Sequence, residues 1–214
     1  SALKKKRGMM KYVGKNDLLL HYPYYSFDHF IDFLLEAVHD RTVEEIMITQ
    51  YRVAQHSEVI NTLIAAAQNG KKVTVFVELK ARFDEENNLA TAELMQKAGI
   101  RIVYSIPGLK VHAKVALILR QNKEGKGKKS FAYISTGNFN EKTATVYADS
   151  ALVTSNPEIV NDLHSLFRYL CQEVEAPQFK HLLVARFNLL PRLVELLEFE
   201  KREALAGRTG RIIL

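Results

Sequence analysis

Residues 44–105 read EEIMITQYRVAQHSEVINTLIAAAQNGKKVTVFVELKARFDEENNLATAELMQKAGIRIVYS. Three runs rich in β-branched residues stand out, EEIMITQY (44–51), KKVTVFVEL (71–79) and IRIVYS (100–105), and each has the alternation or continuity of a strand. Between the first two, Val59, Ile60, Leu63, Ile64 and Ala67 recur at helical spacing, with Ser57 placed to cap the start and Gly70 to close the end. Asp84 and Gly99 bracket another helix before the third run. Strand, helix, strand, helix, strand is the order that right-handed crossovers convert into a parallel sheet covered by helices. This stretch predicts an α/β fold.

Working outward, Phe27, Phe30, Ile31, Leu34, Leu35 and Val38 mark the apolar face of an earlier helix. Downstream, AKVALIL (113–119), SFAYIST (130–136) and DSALVT (149–154) add three strands. The first two of these are separated by QNKEGKGKK (121–129), a Gly- and Lys-rich segment of hairpin character, so the sheet is expected to be mixed, mostly parallel, and flanked by helices. Asn156 followed by Pro157 opens a further helix through Ile159, Leu163, Phe167 and Leu170. The organisation expected is a basic segment over 1–16, one complete domain over 17–176, and, from Pro177 to 214, a linker helix near 188–205 leading into the start of a second, truncated domain.

Composition excludes several classes. Charges interrupt every apolar run well before the ~18 to 20 residues of a bilayer-spanning helix, and the basic start (Lys4, Lys5, Lys6, Arg7) is followed by neither an apolar signal region nor a small-residue cleavage site. With Cys171 as the lone cysteine, a disulfide scaffold is excluded and a reducing, cytoplasmic setting is expected. The histidines show no metal-ligand spacing, and neither G-x-x-x-x-G-K-[ST] nor G-x-G-x-x-G occurs. Thirty Lys and Arg against 24 Asp and Glu give a net charge of +6, which favours anionic partners.

The densest polar constellation is PGLKVHAK (107–114), where Lys110, His112 and Lys114 alternate along a strand and so share a face. Two flanking cations disfavour protonation of the imidazole and leave a ring nitrogen available as a nucleophile toward phosphorus or as a base. A second is STGNFNEKT (135–143), a strand end whose backbone and Asn138 amide can cradle an oxyanion. Arg52 and Arg82 follow the first and second strands, at the carboxyl ends where open α/β sheets bind ligands, and their guanidinium forks suit phosphate. In ATVYADS (144–150), Tyr147 is placed to stack on a base and Asp149 to orient a ring N–H.

His112-Ala-Lys114 followed by Thr136-Gly137-Asn138 resembles the phospholipase D superfamily motif, H-x-K-x(4)-D and a Gly- and Asn-containing strand end, except that Leu119 stands where that motif has its aspartate. HYPY (21–24), YRVA (51–54), NGKKVTVFVELKARFDEE (69–86), PGLKVHAK and STGNFNEKTA (135–144) are similar to strings of the polyphosphate kinases of the first type. That resemblance covers nearly the whole chain. It implies a phospholipase D-like fold and reversible transfer of the terminal phosphoryl group of ATP to inorganic polyphosphate through a phosphohistidine at His112. It further implies that Arg52 and Arg82 serve the phosphate and magnesium site, with Mg²⁺ as cofactor, and that Tyr147 contacts the nucleotide. Lys110, Lys114, Asn138 and Asp149 are the supporting residues expected around them.

The same resemblance implies ATP, ADP and polyphosphate as partners, no specific nucleic acid, and a homo-oligomeric full-length enzyme. Such an enzyme has further domains on either side of this region, so the 214 residues alone are expected to be impaired or inactive as a kinase. Two other readings stay open at this point. One is a non-catalytic α/β module that binds polyanions, and the other is a phospholipase D-like nuclease or lipid enzyme, against which the missing aspartate argues.

Overall fold

The computed structural model describes residues 8–51, 57–78, 85–104, 108–121 and 129–213, the side chains of 85–88 excepted. Seven strands form one sheet: β1 (Leu18–Tyr22), β2 (Val43–Gln50), β3 (Lys72–Val77), β4 (Arg101–Tyr104), β5 (Lys114–Arg120), β6 (Phe131–Ser135) and β7 (Asp149–Thr154), in the spatial order β1-β7-β6-β5-β2-β3-β4. Six α-helices accompany them among the described residues: α1 (Met9–Val13), α2 (Asp28–His39), α3 (Glu58–Gln68), α4 (Glu85–Lys97), α5 (Pro157–Leu170) and α6 (Leu189–Leu205). The fold is α/β with a mixed sheet, as expected. Its balance differs from the expectation: β2–β3 and β3–β4 pair in parallel, whereas β1–β7, β7–β6, β6–β5 and β5–β2 are antiparallel. Between sheet neighbours, α3 links β2 to β3 and α4 links β3 to β4, and both pairs run parallel. Likewise α2 links β1 to β2, which point the same way but are not neighbours, whereas β5, β6 and β7 follow one another without a described α-helix and return in the opposite direction each time.

The sheet separates two apolar layers. On one face Ile46, Ile48, Val75, Val77, Ala116 and Ile118 meet α1, α2, α3 and the Ala92 and Met95 positions of α4. On the other, Met47, Phe76, Val115 and Leu117 meet α5, and Phe179, Leu182 and Val184 from the segment after α5 pack against the same cluster. Successive side chains of a strand point to opposite faces, so β2 and β5 feed both layers at once.

Local chemistry fixes the helix ends. Ser57 accepts a hydrogen bond from the Ile60 amide at the start of α3, and Asn156 accepts from Glu158 and Ile159 at the start of α5. Gly70 and Gly99 sit at φ +80 and +86 just beyond α3 and α4, a backbone state that glycine adopts without strain. The inward face of α2 is rotated from the predicted one. Phe30, Phe33, Leu34, Ala37 and Val38 are buried while Leu35 is exposed, because these five follow one stripe at i, i+3, i+4, i+7, i+8.

In the middle of the sheet's antiparallel half the hydroxyls of Tyr22 (β1) and Tyr133 (β6) share a buried hydrogen bond of 2.7 Å. Burial pushes the Tyr22 phenol up to about 12 and Tyr133 well above its ordinary value. Both folded values lie above the unfolded value near 10, so the folded state holds more protons there. The stability these groups contribute is complete below about pH 10 and is lost as pH rises toward 12. Thermal melts across that window should show the midpoint falling, and the Tyr22→Phe/Tyr133→Phe double variant should show a flatter decline.

No buried residue lies on α6, whose Leu190, Leu193, Val194, Leu196 and Phe199 are exposed. Residues 211–213 form no strand. Among the described residues no helix is long and apolar enough to cross a membrane.

Candidate functional site

The run before β5 is fixed by side chains. Glu78, buried just past β3, accepts the Val111 amide at 3.0 Å through Oε2. Thr49 of β2 donates from Oγ1 to the Ala113 carbonyl at 2.8 Å and accepts the Val115 amide at 3.1 Å. These bonds stand in for a sheet ladder, because the pairing of β5 with β2 begins only at Ala116 and β5 itself at Lys114. Lys110 and His112 therefore stand on irregular backbone, not on the strand predicted for them. Both are exposed, whereas Lys114 is only 6% exposed.

The three are nonetheless brought together. Lys114 Nζ donates to the His112 carbonyl at 2.7 Å and lies 3.0 Å from both Nδ1 and Nε2 of the ring. An ammonium equally distant from both nitrogens sits over the ring, off the in-plane lone pair on which a nucleophile depends. Tyr51, at the end of β2, meets the His112 ring edge-on with centroids 5.0 Å apart. The same tyrosine ring lies 5.7 Å from Lys110 Nζ and 5.4 Å from Lys114 Nζ, within cation–π range.

Register places the second constellation alongside. Lys114 pairs with Ser135, the last residue of β6, so the Thr136–Glu141 turn leaves the sheet next to the buried lysine. Thr136 Oγ1 donates to Asp149 Oδ1 at 2.8 Å and accepts the Ser150 amide at 3.0 Å, tying the turn to β7. Asp149 thus holds the turn, where the sequence suggested that it orients a ring N–H. Gly137 is required here: a Cβ on it would lie 2.5 Å from Asp149 Oδ2. Asn140 accepts the Lys142 and Thr143 amides, both at 3.1 Å, just ahead of a 3₁₀ turn at Thr143–Thr145. Glu141 Oε1 accepts from Ser57 Oγ at 2.8 Å and from the Val59 amide at 3.1 Å, joining the turn to the N-terminus of α3. Asn138 Oδ1 is buried and without a hydrogen-bond partner.

Tyr147 follows the 3₁₀ turn and is 63% exposed, an open aromatic face at the same end of the sheet. Arg52 and Arg82 lie outside the described residues, as do residues 122–128 of the basic 121–129 segment. Behind the His112 run, on the α5 side, is a cavity of about 390 Å³ lined by residues including Leu109, Val115, Leu163, Leu166 and Val184. Its wall is pinned by Asp162, whose Oδ2 accepts the amides of Lys180, His181 and Leu182 at 2.6 to 2.9 Å. No group of three or more His, Cys, Asp or Glu side chains that could hold a metal occurs among the described residues. Sequence reading missed Thr49, Gln50, Tyr51 and Glu78, whose signal is a polar residue standing in or just beyond a buried apolar strand.

An exposed histidine on a buried lysine, beside a Thr-Gly-Asn turn at the sheet's end, has relatives. Residues 8–176 match the family model described as polyphosphate kinase C-terminal domain 1. The chain belongs to the polyphosphate kinase family. The polyphosphate kinase of Synechocystis sp. is 44% identical over 202 residues, 94% of this chain and 28% of its own length, and that of Vibrio vulnificus 41% identical over the same share of this chain and 29% of its own. The crystal structure of polyphosphate kinase from Porphyromonas gingivalis superposes with a TM-score of 0.87 at 50% identity, over 96% of this chain and 34% of that one. This chain therefore spans less than a third of the curated relatives named here. The phospholipase D family member Nuc from Salmonella typhimurium matches over 73% of this chain and 94% of its own, with a TM-score of 0.58 at 16% identity. That likeness shows the phospholipase D-like fold alone.

Proposed function

We propose that this chain carries the phosphoryl-accepting site of a polyphosphate kinase, with His112 as the nucleophile. The observation that carries the reading is the exposed His112 ring seated over the buried Lys114 ammonium. In the first half-reaction a ring nitrogen attacks the terminal phosphorus of ATP, the N–P bond forms, the P–O bond to ADP breaks, and ADP leaves with the electron pair. In the second, a terminal oxygen of polyphosphate attacks the same phosphorus and the N–P bond breaks. Both steps run either way, because a phosphoramidate and a phosphoanhydride have comparable transfer potential.

Catalysis of such a transfer is mostly positioning and charge. Lys114 against the His112 ring, and Lys110 against the Tyr51 ring that His112 meets edge-on, are the cations proposed to offset charge on the transferring oxygens. Arg52 and Arg82 are proposed to bind the flanking phosphates. With no group of carboxylates or histidines that could hold a metal among the described residues, substrate phosphates would supply most of the ligands of a magnesium ion here, and once bound it would neutralise phosphate charge. Tyr147 offers its open ring to the base. The test is to incubate the chain with terminally labelled polyphosphate and Mg²⁺ and map acid-labile, alkali-stable phosphate by peptide mass spectrometry. Label on the peptide carrying His112 is expected. Label confined to another residue would place the nucleophile elsewhere and sink the proposal, and binding of polyphosphate without any covalent label would sink it in favour of a polyanion-binding module.

A further inference from the structure

We infer that Gln50 is a further contact for the transferred phosphoryl group, an assignment that rests on the reaction proposed at His112. Gln50 ends β2 and is 1% exposed, yet neither Oε1 nor Nε2 of its amide has a hydrogen-bond partner. Its backbone is used in the ordinary way, the carbonyl accepting the Glu78 amide at 3.0 Å. Only the side chain is idle. A buried amide with all its capacity unfilled is rare in a folded protein, and a bound group is one of the few physical reasons for keeping it.

Register says what it faces. The β2–β5 ladder pairs Ile46 with Ile118 and Ile48 with Ala116, and two more residues along the same register bring Gln50 opposite Lys114. Ile46, Ile48, Ala116 and Ile118 all belong to one apolar layer, as does Val77, the partner of Gln50 on β3. Strand alternation puts the Gln50 and Lys114 side chains on that same face. Packing alone calls for a third aliphatic residue after Ile46 and Ile48. An amide stands there instead, one residue before the tyrosine that touches His112 and Lys114.

Two other buried atoms around this end of the sheet are also unfilled, Asn138 Oδ1 and Glu141 Oε2. Glu141 is bound through its other oxygen to Ser57 and Val59, and Asn138 lies three residues beyond the strand partner of Lys114. Apart from Arg120 Nε at the opposite end of β5, all of the unfilled buried side-chain atoms among the described residues lie around the end where β2 and β6 finish and β5 begins. Of the groups at that end only Gln50 brings idle N–H donors, which is what a phosphate oxygen requires. A neutral donor beside the cationic Lys114 holds the phosphoryl group without adding charge that would trap it on either side of a reversible transfer.

The test uses the whole chain, inorganic tripolyphosphate as probe, and the ¹H–¹⁵N side-chain amide resonance of Gln50, assigned by its loss in Gln50→Leu. That resonance is expected to shift on saturation with tripolyphosphate and Mg²⁺. Gln50→Leu should bind the probe about ten- to a hundredfold more weakly, the range for losing a hydrogen bond to a charged group. Its melting temperature should hold or rise, because it removes unpaired buried atoms. A parent that takes label on His112 while the Gln50 resonance stays still and Gln50→Leu binds normally overturns the inference and leaves the proposed reaction standing. A Gln50→Leu chain that loses affinity only in step with its melting temperature also overturns it. A parent that neither binds the probe nor takes label overturns the proposed reaction, and this contact with it.

Discussion

In the His112→Ala chain all acid-labile phosphate is expected to disappear, with the melting temperature within about 2 °C of the parent. The two parts of that result come from opposite properties of one residue. His112 is exposed, on backbone held by Glu78 and Thr49 through bonds to Val111, Ala113 and Val115 that the substitution leaves untouched. Removing the ring also leaves Lys114 its bond to the His112 carbonyl, which alanine retains. The lysine thus keeps an acceptor, and its buried charge has no new reason to unfold the site. Tripolyphosphate affinity should fall by less than about tenfold, because the cations remain in place. Labelling of the parent and its variant with terminally labelled polyphosphate, alongside melts and a binding isotherm, separates the outcomes. Equal label on both would place the nucleophile elsewhere, and a variant that lost label together with its fold would show that the ring is structural.

Much of this arrangement is legible in the sequence, and the parts that are not share a cause. Strands β2 to β7 announce themselves through β-branched runs, and the starts of α3 and α5 through Ser57 and through Asn156 with Pro157, because these signals are local. Strand β1 is hidden. Its burial alternates, but Leu19 is apolar and 66% exposed on the outer side of an edge strand, which erases the alternation from LLLHY. Helix α1 has five residues and is fixed from outside, its first amides donating to the Glu36 carboxylate of α2. No local pattern carries such a bond.

The site divides along the same line. Motif residues His112, Lys114 and Asn138 can be picked out by type and spacing, but burial depends on what packs above them, so an exposed histidine on a buried lysine could not be read from H-A-K. Asp149 was readable as a polar residue at a strand start, while its grip on Thr136 depends on the pairing of β6 with β7. Gln50 was the least visible of all. One polar letter in an apolar run has no meaning until the register sets it across from a lysine.

The largest expected loss of stability comes from Phe30→Ala, about 3 to 5 kcal/mol. Phe30 is fully buried on α2, its ring centroid 4.5 Å from those of both Tyr133 and Phe139 and 5.5 Å from that of Phe27. Deleting it removes apolar burial and also opens a cavity that three rings, each held by its own backbone, cannot close. In urea the midpoint should shift with little change in slope, and the melting temperature should fall on the order of 10 °C for a chain of this size. Phe30→Leu, which refills most of the space, should lose less than half as much. The position also ties stability to chemistry, because Phe139 stacks on Phe30 at 19° and stands between Asn138 and Asn140 in the turn beside Lys114. Phosphate labelling of Phe30→Ala, corrected for the unfolded fraction, should therefore fall further than that of an equally destabilised variant in the opposite layer, such as Phe167→Ala. Equal corrected labelling would mean that the Thr136–Glu141 turn is held by Asp149 and Glu141 alone, and that the aromatic layer beneath it supports only the fold.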